Sequence, residues 1–274
     1  MGWHFFIVLA LCLYKVVSIE AVVIEITDVQ AVHKFAKEKT LVCFNIEDTV
    51  VFPKQMIGQS AWLYHRETDL KTTLSEEEAK EQAFLEWMGI SFVVDYELMS
   101  TNLRNVLTGL SLKRSWVLGI SQRPVHLIKN TLRVLHFLNI DFTSCPAICE
   151  DGWLSQPRTK EKPEQVMAIE KNILFVGALK HGLGIDEALE IFLSGITSCP
   201  SQIIYVDHNR ERLRSVDAFC KKANIYFIGM LYTPAKQRVE NYNPQLAAIQ
   251  WSKLRNNFSD EYYESLLSYV KRKG

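Results

Sequence analysis

The sequence predicts an α/β protein: a parallel sheet with helices on both faces and a helical cap inserted near its start. Three observations lead there. Short apolar runs rich in Val, Ile and Phe recur along the chain, helical patterns separate most of them, and one stretch, 52–112, breaks the alternation. Runs that are apolar at nearly every position suit strands covered on both faces, which is the pattern of parallel sheets.

The elements follow in order. VVIEI (22–26) and LVCF (41–44) read as the first strands. Between 52 and 112 strand signal is scarce; Ser75 and Glu78 form a capping box opening a helix through about Met88, and a second helix is expected over 98–110. This segment is assigned to the cap, and 22–51 with 113–274 to the core. WVLGI (116–120) resumes the strands, and 124–138 places Pro at a first-turn position before apolar residues spaced by three and four. Residues 141–168 contain Pro and Trp and read as a loop-like second insertion. ILFV (173–176), IIYV (203–206) and IYFIG (225–229) are further strands, with helices over 185–194, 209–222 and within 243–270.

Composition narrows the function classes. The chain has 274 residues with Lys plus Arg equal to Asp plus Glu at 31 each, so no net field draws it to nucleic acid or anionic lipid. Phe5 to Tyr14 is an unbroken apolar run ended by Lys15. Ten residues are too few for a comfortable membrane span and fit the core of a signal peptide, so 1–21 is expected to be removed on export, leaving a mature chain without a membrane span. The bland alternative is an ordinary buried strand. Of the six cysteines Cys12 would leave with the signal; Cys43 and Cys220 sit in apolar runs, and Cys145 and Cys149 lie in a loop where they could pair. No His stands near them at a zinc-like spacing.

In open parallel sheets the ligand site lies at the carboxyl ends of the strands. Those ends carry Asn45-Ile46-Glu47-Asp48-Thr49, Ser121-Gln122-Arg123, Lys180-His181-Gly182 and Asp207-His208-Asn209. Each residue has a plain reading: Asn45 and Ser121 as turn formers, Lys180 as a solvated charge, Asp207 as a helix cap. As an ordered set they resemble the four motifs of the haloacid-dehalogenase (HAD) superfamily, and the C-terminal half, through NPQLAAIQW, resembles an uncharacterised HAD-like family of intracellular bacteria.

That resemblance implies a Rossmann-like, HAD-like core and a role for each position. Asn45 stands for the nucleophile and Glu47 for the general acid/base; Thr49, Ser121 and Lys180 would bind phosphate. Asn45, Glu47 and Asp207 would hold Mg²⁺, and His208 stands where a second acidic residue often follows. The departures decide the expected function. An amide at Asn45 is a far poorer nucleophile than a carboxylate, and it removes a charge from the metal site, so Mg²⁺ should be weak or absent. Glu47 is one methylene longer than the motif expects. The sequence therefore leads us to expect an exported, phosphatase-like protein, catalytically impaired, that binds a phosphorylated small molecule or protein. The alternative is an active Mg²⁺-dependent phosphohydrolase acting on phosphomonoesters. Trp62, Tyr64, His65, Trp87 and Trp116 could line a cap over the site, with Trp87 better read as part of a small helical core. Arg123 and His181 flank motif loops and could touch an anion, whereas Asp48 should point away.

Overall fold

The computed structural model describes residues 22–155, 166–177 and 184–255. The expected signal segment 1–21, Lys180 and His181 lie outside them.

Ten strands and eight α-helices alternate along the described chain in mixed α/β fashion. The strands are β1 (Val22–Ile26), β2 (Thr40–Asn45), β3 (Val51–Pro53), β4 (Tyr96–Leu98) and β5 (Trp116–Pro124), then β6 (Gly152–Ser155), β7 (Val166–Glu170), β8 (Ile173–Gly177), β9 (Gln202–Asp207) and β10 (Tyr226–Tyr232). The helices are α1 (Ser60–Leu70), α2 (Glu76–Ile90), α3 (Leu103–Leu112) and α4 (Ile128–Phe137), then α5 (Ile185–Ser194), α6 (Arg210–Lys222), α7 (Thr233–Glu240) and α8 (Pro244–Arg255). Eight strands form one sheet in the order β1-β10-β9-β2-β5-β8-β7-β6. The pairings from β1 to β8 are parallel, while β7 pairs antiparallel with both β8 and β6. The sheet is thus mostly parallel.

Alternation along the central strands divides the core between the two faces. Val42, Phe44, Ile204 and Val206 join the apolar cluster covered by α3 and α4. Leu41, Cys43, Ile203 and Tyr205 join the cluster covered by α5 and α6. Every residue of β2 and β9 is buried. The chain leaves β2 for β5 on one side, and later returns to lay β9 on its other side. Neighbouring strand ends whose connections depart in opposite directions leave a crevice.

Three expectations are corrected. Residues 141–168, read as loop-like, contain β6 and the start of β7, which extend the sheet antiparallel. The helix expected from Pro124 begins at Ile128, because β5 continues through Pro124 and a 3₁₀ turn, Val125–Leu127, intervenes. Pro124 costs the ladder little there, since the β5–β8 register shifts between Ser121 and Pro124. The third correction concerns α3, expected as part of the cap: its apolar stripe Leu103, Val106, Leu107 and Leu110 belongs to the main core. The rest of the insertion holds an α1–α2 pair between the two strands of the β3–β4 ribbon. The capping box of Ser75 and Glu78 forms as expected at the start of α2. Among the described residues Cys43, Cys145, Cys149, Cys199 and Cys220 are free thiols.

Candidate functional site

β2 ends on Asn45, which is fully buried. Its side-chain nitrogen donates to the Glu47 carbonyl and to Thr49 Oγ1, the latter at 3.0 Å. A carbonyl can only accept, so this contact fixes the amide orientation. Asn45 Oδ1 is left buried with no hydrogen-bond partner among the described residues. The chain then turns sharply: the Val50 and Val51 amides both bond the Ile46 carbonyl, and Asp48 adopts a left-handed φ of 58°. Asp tolerates that region better than most residues. The Asp48 carboxylate accepts from the Ser60 backbone and hydroxyl at the start of α1, and Asp48 lines the same gap as Glu47 and Arg123.

Glu47 turns towards β5. Ser121 Oγ donates to Glu47 Oε1 at 2.8 Å, the Gln122 amide donates to Oε2 at 3.0 Å, and Arg123 Nε lies 3.5 Å from Oε1. Burial pushes the Glu47 carboxyl up, against the opposing pull of Arg123, Ser121 and the Gln122 amide. Arg123 is itself almost wholly buried. Burial favours its neutral form, yet Tyr96 and Glu47 outweigh that and hold it above the ordinary arginine value, so it stays charged. It donates to Tyr96 Oη at 2.7 Å and Thr131 Oγ1 at 3.3 Å, and lies over the Trp87 and Tyr96 rings at 5.7 and 5.3 Å. Trp87 therefore faces the main core and not a separate helical one. Glu47, Arg123, Trp87, Tyr96, Pro53 and Gly58 close on a gap too small for a water molecule.

The second half of the crevice comes from β9. Asp207 is fully buried and saturated: Tyr205 Oη donates at 2.7 Å, the Asn209 amide at 2.9 Å and Arg212 Nη2 at 2.9 Å. Asn209, not Asp207, caps α6. Thr49 Oγ1 receives bonds from Asn45 and from the His208 amide, and it lies 2.9 Å from His208 Nδ1. Burial holds the His208 pKa below the usual histidine range. Asp207 Oδ1 lies 3.4 Å from the same ring nitrogen. A hydroxyl–imidazole–carboxylate relay needs the acid on the other nitrogen, where Arg212 stands at 3.2 Å instead.

Hydrogen bonds link Asn45, Glu47, Thr49 and Ser121 at the ends of β2 and β5, His208 connects Thr49 to Asp207 at the end of β9, and Lys180 lies outside the described residues. Sequence reasoning missed Tyr96, Tyr205 and Arg212. Only Arg212, five residues after Asp207 in the first turn of a helix, left a local signal. The donor set does not fit Mg²⁺. Both carboxylates already face guanidinium groups, and Asn45 turns its nitrogen, a donor, towards the Glu47 carbonyl. Among the described residues no group of three or more His, Cys, Asp or Glu side chains is arranged to hold a metal.

A family model described as "Protein of unknown function (DUF2608)" matches residues 22–264. The chain belongs to this family. The HAD assignment is thereby corrected, because the family whose model spans these residues is a distinct one. Polar residues at successive strand ends are what a parallel sheet with a crevice presents in general, so four short motifs in order do not discriminate one family from another. A relative in Chlamydia pneumoniae, named "Putative outer membrane protein", is 79% identical over the full length of both chains. Relatives of the same name in Chlamydia trachomatis serovar D and Chlamydia muridarum are 25% and 24% identical, covering 80% and 82% of this chain and 78% and 81% of their own. No solved structure matches. These names place the DUF2608 chain among exported proteins, as the Phe5–Tyr14 run leads one to expect. Among the described residues no helix is long and apolar enough to cross a membrane.

Proposed function

We propose that this DUF2608 protein is an exported binding protein that takes a phosphorylated ligand at the carboxyl ends of β2, β5 and β9 without hydrolysing it. The carrying observation is the set of donors around Glu47: a hydroxyl, a backbone amide and a buried guanidinium converge on one negatively charged group. Such a set is chemically an oxyanion site, since charge-assisted bonds from Arg and from backbone amides are the usual means of holding phosphate. The argument against hydrolysis rests on the same crevice. Asn45 offers no carboxylate, Asp207 is committed to Tyr205 and Arg212, and Thr49, though bonded to His208, is buried.

The test has two arms. Incubation with p-nitrophenyl phosphate and Mg²⁺ should release product no faster than buffer, and calorimetric titration with inorganic phosphate at low ionic strength should show saturable binding. Turnover that disappears in Asn45→Ala would establish the alternative, a working phosphohydrolase. Absence of phosphate binding by the wild-type chain and by Glu47→Ala alike would remove the proposal.

A further inference from the structure

The oxyanion donors at the end of β5 have an occupant, and it is covalently part of the chain. We infer that the Glu47 carboxylate is a built-in stopper, which fills the phosphate cradle and must swing out before a phosphomonoester can enter. This inference rests on the binding reading above and adds its regulation.

Three features separate the occupant from its cradle. The donors are fixed: Ser121 is fully buried, the Gln122 donor is backbone, and Arg123 is held by Tyr96, Thr131 and two aromatic rings. The acceptor is not. Glu47 hangs from a sharp turn by a flexible three-torsion side chain, and its side chain keeps 12% exposure against 2% for Arg123. Glutamate is thus the member of the cluster that can leave towards solvent.

The fit of the carboxylate is also incomplete. Arg123 Nε is buried without a geometrically sound hydrogen bond, although Glu47 Oε1 lies 3.5 Å away. A phosphoryl group carries three acceptor oxygens and up to two charges where a carboxylate carries two oxygens and one charge. It could bond Ser121 Oγ, the Gln122 amide and Arg123 Nε together, replacing the glutamate and meeting the donor that it leaves unmet. A side chain shorter by one methylene at position 47 would reach these donors less well, which gives the extra length of Glu47 a physical consequence.

The experiment compares the full-length chain with Glu47→Ala, Glu47→Gln and the double variant Glu47→Ala/Ser121→Ala, titrating inorganic phosphate, glycerol phosphate and a phosphoserine peptide at neutral pH. Removing the stopper should tighten phosphate binding at least tenfold in Glu47→Ala, and the double variant should lose most of that gain. Glu47→Gln, which keeps the shape but not the charge, should fall between. Glycerol phosphate and the peptide distinguish a small-molecule from a protein source, and a gain for either supports the stopper. Phosphate bound equally by the wild-type chain and both single variants would overturn the stopper and leave the binding function standing. No phosphate binding by any folded variant would overturn both. Should Glu47→Ala fail to fold by circular dichroism, the Glu47→Gln comparison decides alone.

Discussion

A guanidinium taken out of water persists only where its charge and its donors are met, and Arg123 is met from several sides at once. Its partners are Glu47 from the β2 turn, Tyr96 from β4, Thr131 from α4 and the face of Trp87 from α2. Truncating one member of a buried pair leaves the other uncompensated, so Arg123→Ala should cost about 3–5 kcal/mol in urea unfolding. The combination Arg123→Met with Glu47→Gln should cost much less than the sum of its parts, because it removes both charges and keeps the volume. Additive costs would show that the pair is not coupled. Thiols provide a second test at this scale. Burial pushes the Cys43 thiol far up and Cys220 to about 12, whereas Cys199 is exposed. Iodoacetamide should therefore modify Cys199 in the native protein and reach Cys43 and Cys220 only after unfolding, as mass spectrometry can read. The sequence singled out Arg123 only as a neighbour of a motif. Tyr96, the partner that pins it, lies 27 residues away and carries no local mark.

At the scale of elements, what was legible depended on how local the cause was. The apolar runs of β2 and β9 announce strands covered on both faces, and the box at Ser75 and Glu78 announces the start of α2; both are properties of a few adjacent residues. The destination of α3 was not legible, since an apolar stripe states that a helix is half-buried and not against which layer. The antiparallel β6 and β7 were hidden for a similar reason: they are short and are made by pairing. One junction between elements makes a sharp prediction. Gly177, the last residue of β8, packs so close to β5 that a Cβ would lie 1.8 Å from the Gln122 carbonyl oxygen. That neighbour is backbone and cannot rotate aside. Gly177→Ala should push β5 away where Ser121 and Gln122 hold Glu47, destabilising the fold by about 1–3 kcal/mol or more. It should also weaken the phosphate binding proposed for that end. Unchanged urea midpoint and affinity would mean that the strand ends tolerate more movement than their spacing suggests.

Across the whole molecule, the open question is whether the α1–α2 pair is an independent lid or an extension of the core. Its own apolar cluster is small, built on Leu70, Ala79 and Ala83 with Leu63 and Leu74 beside them. Its larger side chains, Trp62, Leu85, Trp87 and Ile90, join the cluster that also contains Val42 and Phe44 of β2 and Ile228 of β10. Further ties run to the C-terminal helices: Trp62 packs on Trp251 at 5.3 Å, Arg66 lies over the same ring at 5.6 Å, and Arg238 of α7 pairs with Glu97 of β4. A lid that shares its core with the sheet cannot detach without exposing both. Tryptophan fluorescence from a variant retaining Trp87 should therefore lose its native signal at the same urea concentration at which far-UV circular dichroism reports loss of the sheet and helices. Coincidence is informative here because a chain of 274 residues exceeds the size at which all-or-none unfolding is the rule. An earlier fluorescence midpoint would make the pair a separately unfolding unit. Ligand entry would then follow from opening of that lid, and the local swing of Glu47 would lose its part as the gate.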